Sequence, residues 1–245
     1  VLLPLLAGPL AWALRYPPGP GGAYPDTLSI AHVQNPAAVP HPVLPDTVLG
    51  IGGIVTGFDP IPTGFAVYLQ TSCSGSAPNP YTGVDVFTGS FNFAAAPFDL
   101  AIGDSVIVYG RVQEFPTTNG GTEIEGLDGV QGTQDLAWRK ISSGNPLPPF
   151  YTGTVNNLRE LPTNPNGESW EGMLVRIATP MRVARVVGLG ANAFLVVDGT
   201  VPPASAVDSV FVDGSTLTTY AAPPLGTTVD RVQGIYDQRS RGYRI

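Results

Sequence analysis

The chain has 245 residues, of which 30 are Gly and 26 are Pro; 13% are charged and 43% hydrophobic. That hydrophobic share excludes a disordered chain, glycines without a three-residue period exclude collagen, and Pro or Gly in nearly every long window excludes a helical bundle. What remains is an all-β protein of many short strands, and its net charge of −7 disfavours nucleic acid, whose binders carry basic patches.

Residues Val1 to Leu14 (VLLPLLAGPLAWAL) carry no charge. They resemble the apolar part and small-residue cleavage site of a secretory signal, with Ala11 and Ala13 flanking Trp12. The stretch is shorter than the ~20 apolar residues that a membrane span needs. An exposed segment this apolar aggregates, so it is expected to be buried against another subunit. Packing onto its own domains and a processing remnant are the alternatives. The expected contact residues are Leu2, Leu5, Leu6, Leu10, Trp12 and Leu14. A Pro/Gly linker, Tyr16 to Pro25, completes an arm over 1–27.

Leu28 to Gln34 alternates well enough to predict a short strand. It opens a first unit over 28–143, with strands expected at Leu49–Phe58, Gly64–Gln70, Gly83–Phe87, Asp104–Glu114 and Gly121–Leu127. Val84, Val86 and Val106, Val108 show the period of two of a strand with one buried face. Residues 144–169 read as a stiff, Pro-rich linker.

A second unit over 170–245 repeats the order, with strands expected at Met173–Ala184, Ala193–Asp198, Ser209–Val212, Thr228–Tyr236 and Gly242–Ile245. GFAVYLQT (Gly64–Thr71) aligns with NAFLVVDG (Asn192–Gly199). Leu100–Val112 aligns with Pro223–Tyr236, with Gly103 and Gly226 opening the strand. Five strands per unit, with a long connection before the fourth, predict two tandem OB-like five-stranded barrels.

LSIAHVQ, GIGGIVTG, GFAVYLQT, TGVDVF and GDSVIVYGRVQEF together resemble the OB-type domain found ahead of secreted bacterial nucleases. WEGMLVRI (Trp170–Ile177) resembles the start of the second such domain. The likeness runs from about Leu28 to Ile245. In that family the tandem units are accessory and an endonuclease domain follows, for which this sequence has no counterpart. The resemblance therefore implies secretion and an accessory or surface role, not cleavage.

The residues themselves offer no catalytic set, no cofactor and no metal site. Cys73 is the single cysteine, so no intrachain disulfide forms. His32 and His41 lack further zinc ligands nearby. Ser72 or Ser74 with His41 and Asp46 lacks a nucleophile elbow. Asp59 with Asp85 serves a glycosidase only if both face one cleft. Alternation places Glu123 and Glu125 on a solvated strand face. Asn164, Asn166 and Glu168 are too few carboxylates for calcium, and Gly188–Asn192 reads as a turn. The C-terminal Arg239, Arg241 and Arg244 read as a solvated face.

Two functions follow as expectations. The first is a secreted structural subunit that self-assembles into a filament or surface layer, its arm added as a donor strand to a neighbour. Its partner is then a copy of itself, in a homo-oligomer or polymer. The second is an accessory OB-fold module for single-stranded nucleic acid or glycan. Its ligand face comprises Tyr68, Arg111, Arg176 and Arg182, with Tyr68 outward for stacking.

Overall fold

The computed structural model describes residues 28–38, 47–61, 64–73, 75, 77–89, 99–115, 120–126, 137–159, 167–187, 192–199, 209–214, 220–239 and 242–245. The expected arm contacts Leu2, Leu5, Leu6, Leu10, Trp12 and Leu14 lie outside these residues.

The described chain is mostly β and forms two mixed sheets. Six strands make the first: β1 (Thr47–Ile61), β2 (Gly64–Gln70), β3 (Gly83–Gly89), β4 (Ser105–Phe115), β5 (Gly121–Glu125) and β6 (Ala137–Ser142). Their order is β1-β2-β3-β5-β4-β6. The pair β3–β5 is parallel, whereas β1–β2, β2–β3, β4–β5 and β4–β6 are antiparallel. β1 also pairs β4 through its N-terminal half, from Thr47↔Arg111 to Ile54↔Ser105. It can serve both neighbours because it bends. The register shifts between Val48 and Ile51, where Gly50 has φ +95°, and again around Thr56, whose hydroxyl donates to Tyr68 O at 3.2 Å.

The second sheet holds β7 (Tyr151–Gly153), β8 (Met173–Ile177), β9 (Met181–Val187), β10 (Ala193–Asp198), β11 (Ser209–Asp213), β12 (Thr228–Val229), β13 (Val232–Arg239) and β14 (Gly242–Arg244). Its order is β12-β9-β10-β11-β14-β13-β8-β7. Here β11 pairs β14 in parallel, and β14 pairs β13 antiparallel. β8 pairs β13, while β9 pairs β10 and β12.

The turns before β4 and β12 match bond for bond. Gly103 N donates to Val55 O and Gly226 N to Val183 O, each at 2.9 Å. Val55 N donates to Asp104 O at 2.8 Å, and Val183 N to Thr227 O at 2.9 Å. Both glycines have positive φ, +90° and +83°, a conformation that L side chains rarely adopt.

Four expectations need correction. Leu28–Gln34 is not a strand: Leu28 makes one parallel bridge to Ile51, and α1 (Ile30–Gln34) follows. Ser29 caps α1 by accepting from His32 N, and the spacing of three between Ile30 and Val33 turns both into the core. Met173–Ala184 is two strands, because Pro180 has no N–H to continue the ladder. Thr228–Tyr236 is likewise split, at Asp230 and Arg231. The supposed linker over 144–169 contributes β7 to the second sheet.

Each sheet packs against its own apolar core. The first centres on Ile30, Ile51, Leu69, Val84 and Ile124, the second on Leu158, Val175, Ile177, Val196 and Tyr236. Every residue of β3 and β5 is buried, since the second sheet covers what the first core leaves open. Among the described residues no helix is long and apolar enough to cross a membrane.

Candidate functional site

The two sheets meet along a hydrogen-bonded seam. Tyr81 N donates to Ser169 O at 2.7 Å, and Leu174 N donates to Gln70 Oε1 at 3.0 Å. Thr122 N donates to Glu171 Oε2 at 3.3 Å. The backbones touch at Gly83 and Gly172: a Cβ on Gly172 would stand 2.7 Å from the carbonyl carbon of Gly83. Only glycine permits this approach.

Beside the seam lies a cleft of about 430 Å³, within the size range of small-molecule sites. The first sheet supplies Phe58, Asp59 and Tyr68 to it, and the second supplies Phe194, Val212, Asp213, Ile235, Asp237 and Arg244, with Tyr220 beside them. Arg244 is its polar centre. Its Nη2 donates to Asp59 Oδ2 at 2.9 Å and to Asp237 Oδ2 at 3.4 Å, while Nη1 donates to Asp213 Oδ2. One guanidinium is thus fixed by carboxylates from both sheets, in the planar geometry that arginine favours.

A second acidic group lies inside the seam. Glu171 is fully buried, with Glu168, Asp237 and Glu114 around it. Burial first, and then the charges of those three carboxylates, push its carboxyl well above the ordinary range. Burial also raises Glu168, partly offset by the hydrogen bond that Tyr243 Oη donates to it at 2.9 Å. The Tyr243 phenol is pushed up by burial and by the charge on Glu168.

Of the expected ligand face, only Tyr68 lines the cleft. It is 3% exposed rather than outward, because the second sheet covers its side of β2. Arg111 is ion-paired with Glu125. Arg176 stacks 4.4 Å over the Phe150 ring and donates through Nε to Gln233 Oε1 at 3.1 Å. Arg182 is exposed on β9. The structure therefore does not join these four into one face.

Glu123 and Glu125 are buried, not solvated, since β5 is covered on both sides. They partner Gln113 and Arg111. Arg244, expected on a solvated tail, is the cleft's fixed cation. Asp59 lines the cleft and Asp85 does not. Glu168 belongs to the carboxylate group around Glu171. Cys73 is half-buried and free, Ser72 is exposed, and His32 sits on α1 against Ser29. Ser74, His41, Asp46, Asn164, Asn166, Arg241 and most of the 188–192 turn lie outside the described residues. Among the described residues no group of three or more His, Cys, Asp or Glu is arranged to hold a metal ion.

Sequence reasoning missed Glu171, Asp213 and Asp237. The one available signal was an acidic residue set inside the apolar run WEGMLV. No family model matches this chain, and no curated protein matches it.

Proposed function

We propose that the chain is an accessory binding module: two OB-type barrels locked into one block, with the ligand held in the cleft between them. The observation that carries this is Arg244, fixed in that cleft by Asp59 from one sheet and by Asp213 and Asp237 from the other. Two features support the OB assignment. In the first sheet β1 pairs β2 and β4, β3 runs parallel to β5, and β5 pairs β4. The second sheet repeats that circuit if β8 with β9 is its first strand and β12 with β13 its fourth. The matched turns at Gly103 and Gly226 support a duplication. A secreted setting and a non-catalytic role belong to the same reading, through the resemblance to nuclease accessory domains. A thermal-shift screen against single-stranded DNA and a panel of soluble polysaccharides tests it. At least one polymer should raise the Tm, and the double variant Phe58→Ala/Tyr220→Ala should abolish the rise. A chain that responds to none of them is not such a module.

One observation favours self-assembly as a second reading. Among the described residues β6 pairs only β4, which leaves its other edge able to accept an added strand. The apolar segment Val1–Leu14 of a neighbouring copy suits that edge, in a filament or surface layer. Deleting residues 1–14 should leave a folded monomer. Unchanged assembly after that deletion overturns the idea.

A further inference from the structure

We propose that the cleft binds a neutral sugar chain, with Arg244 and Asp59 hydrogen-bonding ring hydroxyls and Phe58 and Tyr220 covering the ring faces. This rests on the binding-module reading and names the ligand class of its site.

The charge balance decides against anionic polymers. Among the described residues, three carboxylates (Asp59, Asp213, Asp237) and two guanidinium groups (Arg231, Arg244) line the cleft, leaving one net negative charge. The charge of Arg244 is already more than matched by its three partners. Among the described residues, only the exposed Arg231 stands at the cleft without such a pairing. A phosphodiester or sulfated chain draws its affinity from several cations acting together, and one does not suffice.

The same floor suits hydroxyl groups. A sugar hydroxyl donates one hydrogen bond and accepts two, so it can give to a carboxylate while taking from a guanidinium. A carboxylate has about four acceptor sites and a guanidinium five donors, so acceptors outnumber donors on this floor. The ligand must therefore bring donors. Because Asp59, Asp213 and Asp237 hold the guanidinium in place, its orientation is set before the ligand arrives. The walls are apolar: the half-buried rings of Phe58 and Tyr220 stand with Val212 and Ile235. Such walls match the C–H faces of a pyranose, and the cleft is open to solvent on one side.

The test is isothermal titration calorimetry on the full chain with cellotetraose, xylotetraose and chitotetraose as neutral probes. A heparin-derived tetrasaccharide and a 12-nucleotide oligo-dT serve as anionic probes. At least one neutral tetrasaccharide should bind, with affinity changing less than about twofold between 50 and 500 mM NaCl, unlike the steep salt loss of phosphate contacts. Tyr220→Ala, which leaves the Arg244 ion pairs intact, and Arg244→Gln should each weaken binding by about tenfold or more. Arg139→Gln on the exposed outer strand β6 should not. Unfolding curves of each variant establish that it is folded. Cleft-dependent binding of oligo-dT or the heparin fragment, without the neutral sugars, overturns the sugar inference and leaves the module standing. Binding of no probe at all overturns both.

Discussion

Glu171, just before β8, accepts a hydrogen bond from the backbone N–H of Thr122 at 3.3 Å and so joins the second sheet to the first. The bond is made in a place that opposes charge. Glu171 is fully buried among Glu168, Asp237 and Glu114, and burial is the largest cause of its raised pKa. Its carboxyl can accept from Thr122 in either protonation state, but the ionised form meets three other acids without bulk water. The seam is therefore most comfortable with Glu171 protonated.

The sign of the pH dependence follows. A group whose folded pKa is raised binds more protons in the folded state across the interval between its two pKa values, so stability falls as pH rises through it. For Glu171 that fall begins near its unfolded value of 4.5 and continues up to the raised folded value. Glu171→Gln keeps an acceptor for Thr122 N and removes the charge. The variant should be more stable than the parent on the alkaline side, by roughly 1 kcal/mol or more, and should flatten this limb. Denaturant unfolding across the pH range checks it; an unchanged limb would show that Glu171 does not control the seam.

Gly172 and Gly226 have similar backbones and should respond differently to alanine. Gly226 has φ +83° and open space around its missing Cβ, so Gly226→Ala costs only the backbone strain, about 1–2 kcal/mol. Gly172 has φ +69°, and a Cβ there meets the Val84 backbone and stands 2.7 Å from Gly83 C. Gly172→Ala should cost that strain plus a further 1–3 kcal/mol or so of overpacking. Urea midpoints at constant slope measure both. Equal costs at the two sites would mean that the seam yields.

How much was legible depends on how local the cause is. Gly64–Gln70 and Ala193–Asp198 have the same bounds in sequence and structure, because turn residues close a short apolar run at each end. The turn at Gly103 was legible for the same reason. Leu28–Gln34 was not, since its apolar residues suit both periods and only Ser29 as a cap distinguishes them. Glu123, Glu125, Tyr68 and Arg244 were misplaced through a different cause. Alternation tells which residues share a face, but not that a second sheet covers that face. The burial of Glu171 and the meeting of Asp59 with Arg244 come from contacts between distant parts of the chain, which no local pattern encodes.

The helical assignment of Ile30–Gln34 carries its own test. Ser29 accepts from His32 N at 3.3 Å, and Ile30 is fully buried in the first core. Ser29→Ala should lower stability by about 1 kcal/mol through loss of the cap. Ile30→Ala should lower it by about 2–5 kcal/mol through the cavity left behind. If the segment were a strand, Ser29→Ala would be close to neutral. Equilibrium unfolding of the two single variants distinguishes the cases.

Asp104 opposes Glu171 in its response to pH. Burial alone raises its carboxyl, but hydrogen bonds from Lys140, Ala101 N and Ser143, with the Lys140 charge, outweigh burial and lower it below 3.8. Lys140 Nζ lies 2.7 Å from Asp104 Oδ2 and also donates to Asp99 O at 2.8 Å, so one lysine ties β6 to the turn before β4. A lowered folded pKa gives stability that is present above the unfolded value and lost as pH falls through the folded one. Asp104→Asn should cost about 1–3 kcal/mol at neutral pH, the usual range for hydrogen bonds to a charged group. The difference between variant and parent should shrink below about pH 3.8, where the unfolded chain's carboxyl begins to take up its proton, and be lost once pH falls through the lower folded value. Lys140→Met removes the same ion pair from the other side and should show the same acid-limb loss. If the cost of Asp104→Asn persists undiminished in acid, the role of Asp104 lies in its shape and its bond to Ala101 N, not in its charge.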